Sequence, residues 1–342
     1  MPSVILVTGG TGFIGSHVCV AFANAGYNNI VILDNLRNSY SEVVDRLECI
    51  CNFRLKFIEG DILDSNLLDH IFFENNISAV IHLAGLKAVS ESIKNPLKYY
   101  NNNVKGTLTL INAMRKSNVK KLIFSSSAAV YGQPKCVPIR ENFPLSPINP
   151  YARSKLMVEN ILTDLHHAEP DWHIVCLRYF NPVGAHESGL IGEDPKKFIH
   201  NLMPYLTQVA IGRSKQFIIF GGNYPTVDGT AIRDYIHVMD LAEGHVAALS
   251  NYTNWKRGVL TVNLSTGKGL SVLEVLRAFT EFNQCKIAYR ILDRRAGDVA
   301  ECRGDPTKAQ RILNWKARRS LAQICKDSWR WQKANPNGYL SH

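Results

Sequence analysis

The sequence predicts an α/β fold built on a doubly wound parallel sheet, and three observations point to it. Apolar runs recur without internal alternation, as strands covered on both faces require. Helical stretches separate these runs, so strand and helix alternate. The first run closes on a glycine-rich turn, TGGTGFIG, where a helix begins.

VILVTGG (4–10) reads as a buried strand ending in glycines. Thr11 to Ala25 has helical periodicity, with Gly26 as its C-cap. NIVILD (29–34) is a second strand with an acid at its end, and LKFIEGD (55–61), AVIHLAG (79–85) and KLIFSSS (121–127) repeat the theme. Helical stretches lie between them, including Pro96 to Lys116. FPLSPINP (143–150) holds three prolines and reads as a loop. Pro150 then stands at the favoured first position of a helix, followed by YARSKLMVENILTDL. HIVCLRYF (173–180) is a sixth strand. Beyond it, short strands near 217–220 and 259–264 mix with helices near 196–212, 238–250, 271–283 and 321–333. The expected organisation is a first domain over 1–180 and a smaller mixed α/β lobe over 181–342. A segment near 233–262 is expected to return to the first domain.

At 46% hydrophobic and 20% charged, the 342-residue chain is long enough for a large core that needs no covalent staples. The formal charge of +10 fits a solvated basic surface, with an acidic small substrate as a contributor. A nucleic-acid partner is not expected, because no run of five Lys/Arg and no nucleic-acid motif occurs. The eight cysteines show no zinc spacing, so no metal is expected. Scattered free thiols fit a reducing cytosol, and a cytoplasmic location is expected. The strand starting at Val4 leaves no room for a signal peptide, and no apolar run approaches the ~20 residues of a membrane span.

Gly9, Gly12 and Gly15 lie three apart, and Gly10, Gly12 and Gly15 satisfy G-x-G-x-x-G. Strand before and helix after are the context that this motif requires. Glycines let the backbone approach a pyrophosphate, and the helix N-terminus offers it free N–H groups and a positive dipole end. Asp34, 19 residues beyond Gly15, ends the second strand, where a carboxylate accepts bonds from an adenosine ribose. That carboxylate repels a 2′-phosphate and favours NAD over NADP, while the nearby Arg37 leaves NADP open. Asp61 follows the third strand within reach of the adenine. The alternative is that the glycines only make a tight turn. The motif makes the first domain a Rossmann-type, NAD-binding one.

FSSSAAVYG (124–132) places serines at a strand end, where ligands sit in α/β proteins. Tyr151 and Lys155 lie four apart on one helix and share a face. A phenol of ordinary pKa about 10 is a poor base at neutral pH. A neighbouring ammonium, and a bound cationic nicotinamide, are expected to lower it, making Tyr151 a general base for a sugar or alcohol hydroxyl.

Serine, Tyr-x-x-x-Lys and glycines together resemble the extended short-chain dehydrogenase/reductase superfamily. AGLKAVSESI, YYNNNVKGT, FSSSAAVYG, NPYARSKLMVE, LRYFNPVGAH, GEDP, NLMPY, DGTAIRDYIHVMDLA and RRAGD follow in order. From residue 4 to about 335 they look like the UDP-galactose 4-epimerase family. YARSK departs from the commoner YGKSK but keeps both functional positions. The resemblance implies Ser127, Tyr151 and Lys155 as catalytic residues. It implies that Phe13, Ile14, Asn35, Ile62, Ala84, Lys87, Asn102 and Phe180 line the NAD site. It assigns Asn181, Asn201 and Leu202 to the nucleotide, Ile218 and Phe220 to the uracil, and Arg233, Arg295 and Asp298 to diphosphate and ribose. An arginine fork suits a diphosphate through paired, charge-assisted hydrogen bonds. Cys302, four after Asp298, stands where family members restricted to plain hexoses carry tyrosine.

The resemblance implies that Tyr151 deprotonates the hydroxyl on sugar carbon 4 of a UDP-hexose, while hydride moves to NAD and back. Members usually pair helices 96–116 and 151–167 into a four-helix homodimer interface. With Cys302 small, UDP-N-acetylhexosamines are expected substrates beside UDP-hexoses. One rival is a dehydratase or decarboxylase of the same branch. Related dehydratases carry Thr-Asp-Glu where this chain has Ser127, Ala128 and Ala129, and alanines leave the elimination without its acid and base. The other rival is a non-catalytic dinucleotide-binding regulator.

Overall fold

The computed structural model describes residues 4–196, 201–251, 258–295 and 297–340. Along the chain run β1 (Val4–Thr8), α1 (Phe13–Asn24), β2 (Ile30–Asp34), α2 (Glu42–Cys51), β3 (Lys56–Glu59), α3 (Ser65–Asn75) and β4 (Ile77–His82). Next come α4 (Val89–Lys94), α5 (Pro96–Tyr99), a π-helical turn (Tyr100–Lys105), α6 (Gly106–Lys116), β5 (Lys121–Ser127), a short 3₁₀ turn (Ala128–Tyr131), α7 (Pro150–Ala168) and β6 (His173–Tyr179). The remainder comprises β7 (Asn181–Val183), α8 (Leu202–Ala210), β8 (Phe217–Phe220), β9 (Ile232–Arg233), β10 (Tyr235–His237), α9 (Val238–Ser250) and β11 (Gly258–Leu264). It ends with β12 (Leu270–Ser271), α10 (Val272–Asn283), β13 (Tyr289–Leu292), β14 (Glu301–Cys302), α11 (Thr307–Leu313) and α12 (Leu321–Ala334).

Seven strands form one parallel sheet in the order β11-β6-β5-β4-β1-β2-β3. Both faces are buried, which explains the unbroken apolar runs. Within β1, Ile5 and Val7 pack on one side with Val18 and Phe22 of α1, Leu47 of α2 and Ala242 of α9. Leu6 packs on the other with Leu68 of α3, Leu110 of α6 and Val158 of α7. Each of the Val, Leu, Ile and Phe side chains among them is worth roughly 1.5–3 kcal/mol when fully buried. The chain leaves β1 toward β2 on one side and β4 on the other, so the crevice at the β1/β4 switch point is the ligand site of an open α/β sheet.

A second lobe has its own core, in which Met203 and Leu206 of α8, Phe217 and Ile219 of β8, Phe279 of α10 and Ile324 of α12 meet. β8 pairs with β13, and β9 is flanked by β12 and β14. From the later chain, β11 lies beside β6 in the main sheet, and α9 covers α1. Among the described residues no helix is long and apolar enough to cross a membrane.

Two helices differ from the sequence expectation. The stretch 96–116 is interrupted by the π turn, which buries Asn102 and Asn103 and brings Gly106 so close to Ile62 that a Cβ would lie 2.6 Å from its side chain. Such turns recur at functional sites. The helix expected near 196–212 runs Leu202–Ala210, and 197–200 lie outside the described residues. Gly26 follows the capping residue Ala25 rather than being it, in the left-handed region at φ +88°.

Candidate active site

The glycine turn is fixed by close backbone approach. Gly9 adopts φ +73°, and a Cβ on Gly15 would lie 2.1 Å from the Gly9 carbonyl oxygen. Gly12 is the N-cap of α1, with no side chain capping the helix and no acid in its first turn. A Cβ at Gly12 would meet only the Gly9 oxygen, at 3.3 Å, so its outer side is open. Asp34 stands at the adjacent strand end and accepts from Thr11 N (3.2 Å), Leu36 N (3.0 Å) and Ser39 Oγ (3.1 Å). Asn35 donates to Asp61 at 2.8 Å. Arg37 is exposed on the neighbouring loop. Phe13 stacks edge-on with His17, Ile62 is buried, and the Ala84 amide lies against Gly9. An uncapped helix N-terminus, an open glycine and an acid at the next strand end fit a dinucleotide with a free ribose, as NAD has.

At the other side of the crevice β5 ends in Ser127 and α7 begins with Pro150. Asn149 caps α7 by accepting from Ala152 N at 2.9 Å, which sets the entry angle of Tyr151. The Ser127 hydroxyl lies beside the Tyr151 phenol and favours its ionised form. It also accepts from Ala129 N at 3.2 Å. Lys155 is buried; its Nζ donates to the Ser125 carbonyl at 2.7 Å and lies 4.9 Å from the Phe124 ring centre. Burial lowers the Lys155 pKa to about 8, against the pull of Glu159.

The expected lowering of Tyr151 is not found. Burial raises its pKa and outweighs the lowering influence of the Ser127 hydroxyl and of the positive charge of Lys87. Lys155 is directed at a carbonyl instead of the phenol. A cationic ligand beside the phenol acts in the lowering direction.

The substrate candidates sit on the second lobe and its border. Asn181 on β7 donates its backbone N–H to the Asp234 carbonyl at 3.0 Å. Arg233 on β9 is braced by the Ile232 and Val299 carbonyls, each at 2.8 Å, and pairs in register with Cys302 of β14. Along β8, Phe217 and Ile219 face the lobe core while Ile218 and Phe220 are more open. The Arg295 guanidinium lies 4.7 Å from the Phe220 ring centre and pairs with Asp298 at 3.1 Å. Cys302 packs with Ala128 and Phe180 beside the end of β5. Burial raises its thiol to about 11, so it is a protonated thiol and not a thiolate at neutral pH.

Lys87 and Asn201 meet through a residue the sequence reading did not single out. Glu193 accepts from Lys87 Nζ at 2.9 Å and from Asn201 Nδ2 at 2.5 Å. The GEDP motif containing it was the available signal. Asp34, Asn35 and Asp61 stand on the β2–β3 side, apart from the Ser127–Tyr151 pair. A polar groove of about 610 Å³ at the opposite strand ends is lined by Asp69, Lys116, Lys120 and Glu169, whose charges pair with one another. Among the described residues no cluster of His, Cys, Asp and Glu is suited to a metal ion.

A family model described as GDP-mannose 4,6 dehydratase matches residues 6–328. The UDP-glucose 4-epimerase of Bacillus subtilis (strain 168) is 56% identical over 337 residues, covering 98% of this chain and 99% of the relative. The UDP-glucose-4-epimerase of Stenotrophomonas maltophila, solved with NAD and formylated UDP-arabinopyranose, is 46% identical with a TM-score of 0.95, over 98% and 99% of the two chains. That of Bifidobacterium longum, solved with NAD+ and UDP, is 50% identical with a TM-score of 0.94, over 98% and 100%.

Proposed function

The chain belongs to the UDP-glucose 4-epimerase family, within the extended short-chain dehydrogenase/reductase superfamily, and from that premise we propose how its own residues perform the reaction. It is an NAD-dependent epimerase that inverts carbon 4 of UDP-hexoses, interconverting UDP-galactose and UDP-glucose. The matching family model carries a dehydratase name. Elimination needs an acid and a base after the serine, and Ala128 and Ala129 supply neither.

When bound, NAD supplies a hydride acceptor that later returns the hydride. Tyr151 takes the proton from the carbon-4 hydroxyl and gives it back to the carbonyl oxygen of the 4-keto sugar. Ser127 stands beside the Tyr151 phenol and holds that same oxygen. Lys155 supports the phenolate by its charge and is placed to hold the nicotinamide ribose. Gly9, Gly12 and Gly15 seat the pyrophosphate, and Asp34 the ribose. Asn181, Asn201, Arg233, Arg295 and Asp298 grip UDP, leaving the sugar free to turn over between the two hydride transfers. The observation that carries this reading is the Ser127 hydroxyl at a parallel strand end beside the Tyr151 phenol, with Lys155 one helical turn away.

The substrate range extends to UDP-GalNAc and UDP-GlcNAc. Cys302, packed with Phe180 and Ala128, supports this, because a thiol leaves space for an acetamido group that a phenol ring fills. The enzyme is a homodimer through the faces of α5–α7. Leu97 is 80% exposed, with Leu108 and Met157 also open. Its compartment is the reducing cytoplasm, a reading supported by eight free cysteines. Incubation with UDP-galactose, UDP-glucose and their N-acetyl forms, with chromatographic separation, tests the range. Turnover of all four is expected, and turnover of plain hexoses alone removes the extension. Light scattering after size exclusion tests the dimer, and a monomer at micromolar concentration counts against it.

A further inference from the structure

Tyr151, Lys155 and Glu159 are spaced four apart on α7, so they share one helix face. The first two belong to the reaction. Glu159 is 5% exposed and fully engaged. Arg178 of β6 donates Nε to Oε1 at 3.0 Å and Nη2 to Oε2 at 2.6 Å, and Ser126 Oγ donates to Oε1. Arg178 Nη1 donates onward to the Tyr131 phenol at 2.9 Å, and Tyr131 to Asn263 of β11 at 2.7 Å.

The position of Ser126 gives this network its meaning. On one side of it, the Ser125 carbonyl accepts from Lys155; on the other, Ser127 stands beside Tyr151. The carboxylate therefore ties the middle of the serine triplet to the helix that carries both other reaction groups. Stability alone is a weak reason for a buried ion pair, since desolvation offsets most of its Coulomb energy.

We propose that Glu159 is a positioning residue for the reaction: clamped by Arg178 and Ser126, it locks the strand end bearing Ser127 against the helix bearing Tyr151 and Lys155. It also places a carboxylate one turn from the Lys155 ammonium. The inference rests on the roles given above to Ser127, Tyr151 and Lys155.

Several groups face Lys155. Tyr151 and Glu159 lie on its own helix, and His82 comes from β4. The Phe124 ring and Ser125 carbonyl come from β5, and Asn103 from the π turn; of the β6 residues, Arg178 reaches Glu159 and Tyr179 lies near Ser125 and Tyr151. Glu159 is the anionic member that raises the Lys155 pKa. Removing its charge makes the ammonium lose its proton at lower pH, and the phenolate loses its support there.

The test is the pH profile of kcat for UDP-galactose in the NAD-loaded Glu159→Gln variant, with parent, Glu159→Asp and Tyr151→Phe in the same series. The expected result has three parts. The kcat falls about tenfold with KM within about threefold. The alkaline limb moves to lower pH by about half a unit. Glu159→Asp, which keeps the charge, returns the limb to the parent position. If Glu159→Gln does not fold, the charge-balanced Glu159→Gln/Arg178→Met carries the same reading. An alkaline limb that coincides with the parent's overturns the proposal, whatever the fall in kcat, because a purely structural residue gives that pattern. An inactive parent or a fully active Tyr151→Phe overturns the catalytic roles instead, and this inference with them.

Discussion

Lys155 Nζ donates to the main-chain carbonyl of Ser125, at 2.7 Å, and not to the phenol of Tyr151 four residues earlier on its own helix. The ammonium is thus held by the backbone of the strand that ends in Ser127. Its placement depends on the path of β5 and not on the side chain at position 125.

Ser125→Ala keeps that carbonyl and is expected to lose little activity. Ser127→Ala removes the hydroxyl beside Tyr151 and is expected to lower kcat about a hundredfold. Steady-state assays of the two variants separate them, and a greater loss at Ser125 reverses the assignment within the triplet.

Asp34→Ala is expected to weaken NAD retention about tenfold and to narrow its advantage over NADP. A ribose acceptor and a charge that repels a 2′-phosphate disappear together. Thr11 N, Leu36 N and Ser39 Oγ also lose their common acceptor. Cofactor content after purification, and reconstitution with each dinucleotide, measure this. An unchanged preference moves the selectivity to another group such as Arg37.

Acid should destabilise the fold before the carboxylates titrate. His82 is buried between Thr8 Oγ1 and Thr107 Oγ1, each at 2.8 Å, and burial, aided by Lys155, lowers its pKa to about 3. Burial likewise lowers His17 to about 3. Unfolded histidines protonate near 6.5, so their folded-state stability is complete above that value and declines as pH falls toward 3. The slope is about 1.4 kcal/mol per pH unit for each histidine. Urea midpoints at roughly pH 7.5, 6 and 5 are expected to fall in that order, less steeply in His82→Gln. A flat series contradicts the neutral buried state.

The parts legible in the sequence are those written in local periodicity. Apolar runs, the Gly9–Gly12–Gly15 turn and the four-residue spacing of Tyr151 and Lys155 each need only neighbours in the chain to be read. What escaped depends on distant partners. Glu159 meets Arg178 19 residues away, and Glu193 meets Lys87 106 residues away. The direction of the Tyr151 shift depends on how deeply the folded crevice buries the phenol, which spacing does not encode. The strands β9, β12 and β14 have two residues each, too few for any period, so the small sheet behind Cys302 was invisible.

Cys302→Tyr is expected to abolish turnover of UDP-GlcNAc and spare most turnover of UDP-galactose. A ring beside Phe180 and Ala128 blocks the larger sugar without touching the smaller. Equal loss with both substrates points to a disturbed wall and not to selective exclusion.

Tyr151→Phe most directly tests the central claim, that one phenol handles the carbon-4 proton. The measurement is conversion of UDP-galactose to UDP-glucose by this variant, with bound NAD quantified in the same preparation. The account predicts NAD content close to the parent's and a rate lower by about a hundredfold or more, since only the ionisable oxygen is removed. A rate near the parent's, with NAD in place, contradicts it.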